Sequence, residues 1–125
     1  MKSSNNWYQS IVTTGNQQGR TLGFPTLNLD TSVLPKDQKE GVYKTSVKYN
    51  GKTYTGALYV GPRIVLGETQ KVLEIYVLDF SQDLYGKSIE FQIQNFIRDV
   101  QNFSTLAEMQ KQIEADIKKI KSLTI

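Results

Sequence analysis

Cysteine and histidine are both absent from this 125-residue chain. Without cysteine there is no disulfide, no thiolate nucleophile and no sulfur-ligated zinc. Without histidine the commonest general base and the commonest transition-metal ligand are gone as well. Any enzymatic proton transfer falls to a carboxylate, lysine or tyrosine, and any metal is expected to be a hard, oxygen-ligated ion such as Mg²⁺. The uncharged apolar runs fall far short of the ~20 residues that span a bilayer. The start M-K-S-S-N-N-W has no apolar signal stretch, so a cytoplasmic protein without membrane contact is expected. A strong excess of one charge is also lacking: 15 Lys and Arg against 12 Asp and Glu leave a net +3. No basic stripe with interleaved aromatics accompanies it, and no nucleic-acid partner is expected.

Hydrophobic residues at 38% supply enough apolar surface for a core. The length suits one domain, 1–125, with a barrel over about 7–97 and a helix over about 105–121. Strand patterns dominate from Trp7 to Phe96. Tyr49-Asn50-Gly51-Lys52 predicts a two-residue type I′ hairpin that pairs Val47 with Tyr54 and Tyr43 with Leu58. Val72 to Phe80 reads as a central strand with apolar residues on both faces. After a turn at Asp83–Lys87, Ser88 to Phe96 alternates, with Ile89, Phe91 and Ile93 inward, which suggests a further antiparallel hairpin. From Thr105 the period becomes helical: Leu106, Met109, Ile113, Ile117 and Ile120 form a stripe, and Thr105-Leu106-Ala107-Glu108 fits a capping box, with Ser104 an equal candidate for the N-cap. Five or six short strands followed by one helix point to a mainly β fold, a small antiparallel barrel with the helix packed against it.

Chemistry concentrates between Gly15 and Asn28, which reads G-N-Q-Q-G-R-T-L-G-F-P-T-L-N. The segment fails the Walker A test, because three residues separate Gly15 from Gly19, Arg20 stands for lysine, and Gly23-Phe24-Pro25 blocks a following helix. Two readings stay open: a backbone anion nest assisted by Arg20, or a flexible strand connection. Thr26 and Asn28 lie on the same side of an extended segment, about 7 Å apart, and either hold a metal between them or bond nearby backbone. Glu74 is a carboxylate on a face otherwise formed by Val72, Tyr76 and Leu78. It is either a general base whose pKa burial raises or the partner of a cation across the sheet. Arg98 either caps the site or pairs with Asp99.

These residues together resemble a known family. G-x-x-x-G-R-x-L-G-F-P-T-x-N, then L-E-I-Y-V-L-D-F with D-L-Y-G, then F-I-R-D-x-Q-x-F-S-T-L is similar to the riboflavin kinase (flavokinase) domain of the bacterial and eukaryotic ATP-dependent type, from about Tyr8 to Lys121. The resemblance implies a six-stranded Greek-key barrel with a C-terminal amphipathic helix. It implies transfer of the γ-phosphoryl of Mg-ATP to the 5′-hydroxyl of riboflavin, giving FMN and ADP, by an expected monomer. Gly15, Gly19, Arg20, Gly23, Pro25 and Thr26 then correspond to nucleotide-binding positions, Thr26 and Asn28 to the metal, Glu74 to the catalytic base and Arg98 to a flavin-side loop. Gln17, Gln18, Leu27, Tyr76 and the segment Pro62-Arg63-Ile64-Val65 depart from the family pattern. The fused FMN adenylyltransferase module of many bacterial members uses histidine motifs, so this chain is expected to make FMN and stop there. The alternative is a flavin or nucleotide sensor that keeps the barrel without catalysis.

Overall fold

The computed structural model describes residues 6–13, 26–62 and 70–123. Six strands form one antiparallel sheet: β1 (Tyr8–Ile11), β2 (Leu27–Leu29), β3 (Gly41–Tyr49), β4 (Lys52–Pro62), β5 (Lys71–Val77) and β6 (Ser88–Arg98). Their spatial order is β1-β6-β3-β4-β5-β2. The two ends of that order meet, because the Thr13 N–H donates to the Asn28 carbonyl at 2.8 Å and makes an isolated bridge just beyond β1. The sheet curls into a nearly closed Greek-key barrel. Closure removes the unpaired edges that a six-stranded open sheet would leave at β1 and β2.

Local chemistry accounts for the longest hairpin. Asn50 and Gly51 adopt φ of 54° and 80°, as a type I′ turn requires, and asparagine and glycine tolerate that region best. The resulting register pairs Val47 with Tyr54 and Tyr43 with Leu58, as the sequence predicts. Alternate residues then face the interior, where Phe91, Leu58, Leu73, Ile75, Ile89, Val47 and Val60 are fully buried. Thr45 sits among them, and its hydroxyl donates to the Gln92 carbonyl at 2.8 Å, so its burial strands no polar atom.

The chain departs from the sequence expectation between β5 and β6. The strand expected over Val72 to Phe80 stops at Val77, and a turn follows in which Asp79 has a φ of 56°. The hairpin expected next does not form, because β5 pairs with β4 and β2 whereas β6 pairs with β3 and β1. The connection crosses one end of the barrel, with Leu84 buried in the core and the Lys87 N–H closing a turn onto the Leu84 carbonyl at 2.8 Å. Alternation reports which face a residue takes but not which strand lies beside it, and here closure selected the neighbour.

The C-terminal helix α1 (Leu106–Ser122) lies against β4 and β6. Thr105 caps it, its hydroxyl accepting from the Glu108 N–H at 3.1 Å. The Glu108 carboxylate answers the Ser104 N–H at 3.0 Å, one residue earlier than the expected box. Of the expected apolar stripe, Ile120 is fully buried, Met109, Ile113 and Ile117 are half-buried, and Leu106 stays exposed. A residue outside the expected stripe, Asp116, is buried beside Ile120.

Candidate active site

A row of cross-strand partners runs around the barrel. Thr13 bridges Asn28, Asn28 opposes Glu74, Glu74 opposes Tyr59, Tyr59 opposes Val42, and Val42 opposes Arg98. Directly opposed residues of an antiparallel pair share a face of the sheet. Their sequence neighbours Leu27, Leu29, Leu73, Ile75, Leu58 and Val60 belong to the interior core, so Asn28, Glu74 and Tyr59 stand on the outer face. Despite that, Asn28 is only 9% exposed and Glu74 only 7%.

The fold brings Thr26 and Asn28, two residues apart in the chain, to Glu74, 46 to 48 positions further on. Thr26, just before β2, directs its hydroxyl to the Glu74 carboxylate at 3.5 Å, the long limit of a hydrogen bond. Asn28 occupies the position across from the same carboxylate. A hydroxyl, a carboxamide and a carboxylate therefore meet in one half-enclosed place. The cross-strand neighbours of Glu74, Asn28 and Tyr59, are both uncharged, so the sheet itself sets no cation directly opposite the acid.

Strand β2 is short, and its ends are tied down. Thr13 holds Asn28 through backbone and through a side-chain contact, its Oγ1 lying 3.3 Å from the Asn28 carbonyl. The Asp30 N–H donates to Ser10 Oγ at 3.2 Å. The Ser32 N–H and hydroxyl hold the Asp30 carboxyl below its usual range, and this acid opens the short 3₁₀ turn Thr31–Val33. Leu27, one of the departures from the family pattern, packs into the interior core and pairs with Ile75. Its size is absorbed on the opposite side of the strand from Asn28.

On the other flank of Glu74, the Tyr59 hydroxyl donates to the Pro62 carbonyl. Arg98 is the last residue of β6 and forms a forked pair with Asp116 of α1, with Nε to Oδ1 at 2.9 Å and Nη2 to Oδ2 at 2.9 Å. The sequence left open whether Arg98 caps the site or pairs with Asp99. The structure gives Arg98 only the Asp99 carbonyl, at 3.0 Å from Nη1, while the Asp99 carboxylate meets Lys39 at 3.4 Å.

Gly15, Gly19, Arg20, Gly23 and Pro25, which the family resemblance assigns to nucleotide binding, lie outside the described residues. Sequence reasoning missed Asp116 and Tyr59. Asp116 carried a readable signal: it falls three residues after Ile113 and four before Ile120, so a carboxylate sits on the buried side of an amphipathic helix. Tyr59 carried none, being one aromatic among alternating strand residues. Among the described residues, no group of three or more acidic, histidine or cysteine side chains forms a metal cluster, and no helix is long and apolar enough to cross a membrane.

The sequence matches the family described as flavokinase, riboflavin kinase, over residues 4–124. It is 37% identical over 107 residues to the RNA-binding riboflavin kinase RibR of Bacillus subtilis, covering 85% of this chain and 46% of that protein. It is 38% identical over 104 residues to the trifunctional protein RibF/MnmA of Mycoplasmoides gallisepticum, covering 82% of this chain and 16% of the other. The bifunctional riboflavin kinase/FMN adenylyltransferase of Escherichia coli is 37% identical over 108 residues, covering 84% of this chain and 34% of that one. The chain thus spans less than half the length of each of these relatives. Among solved structures, a protein from Streptococcus pneumoniae described as a macrolide-efflux protein superposes with a TM-score of 0.75 at 28% identity, covering 92% of this chain and 38% of its own. Riboflavin kinase from Trypanosoma brucei superposes with a TM-score of 0.60 at 21% identity, covering 94% and 78%, a likeness of fold. By the match across residues 4–124 and by these relatives, the chain belongs to the riboflavin kinase family.

Proposed function

We propose that this chain transfers the γ-phosphoryl group of Mg-ATP to the 5′-hydroxyl of riboflavin, yielding FMN and ADP. The observation that carries the reading is the meeting of Glu74 on β5 with Asn28 on β2 and Thr26 just before it, in a place mostly shielded from water. All three offer oxygen, the donor set a hard divalent cation prefers. Thr26 and Asn28 would hold Mg²⁺ beside the nucleotide phosphates, and the ion when bound supplies neutralisation of phosphate charge. Magnesium ordinarily keeps waters and phosphate oxygens among its ligands, so two neutral side chains suffice.

Glu74 then takes the proton. The riboflavin 5′-oxygen forms its bond to the γ-phosphorus as the bond to the β-bridging oxygen breaks; the hydroxyl proton passes to the Glu74 carboxylate, and ADP leaves. Phosphoryl transfer asks the protein chiefly for alignment and charge, and a general base adds about 10²–10⁴-fold. A rigid sheet suits that task, because strand pairing sets the spacing between Asn28 and Glu74 without dependence on a mobile loop. Arg20 and the glycines from Gly15 to Gly23 complete this reading as the nucleotide cradle, and Arg98 as the residue at the flavin side.

The deciding experiment incubates the protein with riboflavin, ATP and Mg²⁺ and follows FMN and ADP by mass spectrometry. Equal formation of the two products is expected. Flavin binding without any FMN would replace catalysis with the sensor reading.

A further inference from the structure

The Arg98–Asp116 pair has the build of a machined part. Its side chains are only 12% and 4% exposed. The guanidinium spends Nε on both Asp116 oxygens, at 2.9 and 3.1 Å, and Nη2 on Oδ2 at 2.9 Å. Gln112, one turn earlier on α1, donates to Asp116 Oδ1 at 3.1 Å and fixes the carboxylate from behind. Nη1 reaches the Asp99 carbonyl, and the Phe103 ring lies 5.8 Å from the guanidinium carbon. The pair therefore clamps the backbone that leaves β6 onto the helix.

That backbone borders the row containing Glu74. Arg98 opposes Val42, which opposes Tyr59, which opposes Glu74. The Val100 side chain packs so closely over β4 that its Cγ2 lies 2.9 Å from where a Cβ on Gly61 would stand, and the Tyr59 hydroxyl lies 3.2 Å from the same point. Thr26 and Asn28 occupy the β2 flank of Glu74, while Tyr59, Val100 and Arg98 occupy the β4 flank. In-line transfer sets donor and acceptor on opposite sides of the moving phosphoryl group, with the base turned to the acceptor. If the β2 flank takes the nucleotide, the alcohol approaches by the β4 flank.

We propose that Asp116 is a positioning residue for the acceptor alcohol: acting through Arg98, it makes the C-terminal helix set the wall formed by Val100 and Tyr59 beside Glu74. The inference rests on the phosphotransfer reading above. It goes beyond that reading by giving the helix a kinetic role and by turning the Arg98 side chain toward the helix rather than toward substrate.

The test compares wild type, Asp116→Asn, Asp116→Glu and Arg98→Lys at a temperature where circular dichroism shows each folded, measuring kcat and both KM values. Asparagine keeps shape and one acceptor but removes the charge, and lysine keeps a cation but loses the fork. Asp116→Asn should raise the riboflavin KM by about tenfold, since a wall displaced from beside the acceptor loses binding contacts with it, and move the Mg-ATP KM less than about twofold. Arg98→Lys should shift it in the same direction by less, and Asp116→Glu should recover part of the loss. A purely structural tie predicts a lower melting temperature with both KM values of the folded protein unchanged, and that result would overturn the proposal. Should Asp116→Asn fail to fold, Arg98→Lys decides: a riboflavin-selective shift supports the role, and unchanged KM values end it. Wild-type protein that forms no FMN would instead remove the phosphotransfer reading on which the role depends.

Discussion

Asn28 and Glu74 face each other across the β2–β5 ladder, so the distance between the carboxamide and the acid is set by strand pairing rather than by loop conformation. The Thr26 hydroxyl, two residues from Asn28, reaches the same carboxylate. Residues 46 to 48 positions apart in sequence are thereby held in one place, on an outer face of the barrel that solvent scarcely reaches.

Removing the charge of the acid while keeping its shape isolates its part in the reaction. Glu74→Gln should fold with a near-wild-type melting temperature, bind both substrates and lose kcat by about 10²–10⁴-fold, the usual contribution of a general base. Steady-state FMN formation measures this, and an undiminished kcat would take Glu74 out of the proton transfer.

The opposite flank makes a separate prediction. Thr26→Ala and Asn28→Ala should each weaken Mg-ATP binding in titration calorimetry, with riboflavin affinity changing less. Asn28 is the more buried of the two, so its loss should also lower stability, by about 1–3 kcal/mol if its strand neighbours are left with unsatisfied polar groups. Unaltered Mg-ATP affinity in both variants would exclude them from the metal–nucleotide side.

Two glycines set backbone strain alone against backbone strain combined with steric conflict. At Gly51, with a φ of 80° and no atom within 4 Å of an added Cβ, alanine should cost about 1–2 kcal/mol through left-handed strain alone. At Gly41, with a φ of 150°, an added Cβ would stand 2.4 Å from the Arg98 carbonyl and 2.7 Å from the Phe96 ring. Gly41→Ala should therefore lower the urea midpoint more than Gly51→Ala, and should reduce FMN formation because it pushes on Arg98. Equal midpoints would contradict the packing described between β3 and the end of β6.

Thr105→Ala removes the helix cap and should cost about 0.5–2 kcal/mol in chemical denaturation. Faster amide exchange in the first turn of α1, with the last turn around Ile120 protected as in wild type, would show that the buried end of the helix is held by packing and by the Arg98–Asp116 pair. Loss of protection along the whole helix would place its anchor at the cap instead.

Much of this molecule was legible without coordinates. Asn50-Gly51 announced its turn and its register, because φ > 0 at two successive residues is a local demand that few side chains meet. Ile89, Phe91 and Ile93 announced their inward face through a period of two, and the change to a period near 3.6 after Thr105 announced the helix. Glu74 stood out as an acid among apolar neighbours, and Thr26 and Asn28 as polar groups behind a rigid proline.

Other features depend on contacts between distant segments. Nothing between Val77 and Ser88 revealed that β5 and β6 part company, because a ten-residue connection can return beside its own strand or cross the barrel with similar loop entropy. Arg98 had an acid next to it in sequence, yet it chose one eighteen residues away, where burial strengthens the forked pair and adjacent-residue geometry offers no such fork. Short-range preferences thus dictated turns, faces and the helix, since each is an energy written within a few residues. Which strands adjoin, and which side chains share the Glu74 row, follow from closing the sheet around one core, a cooperative choice made by the whole chain at once.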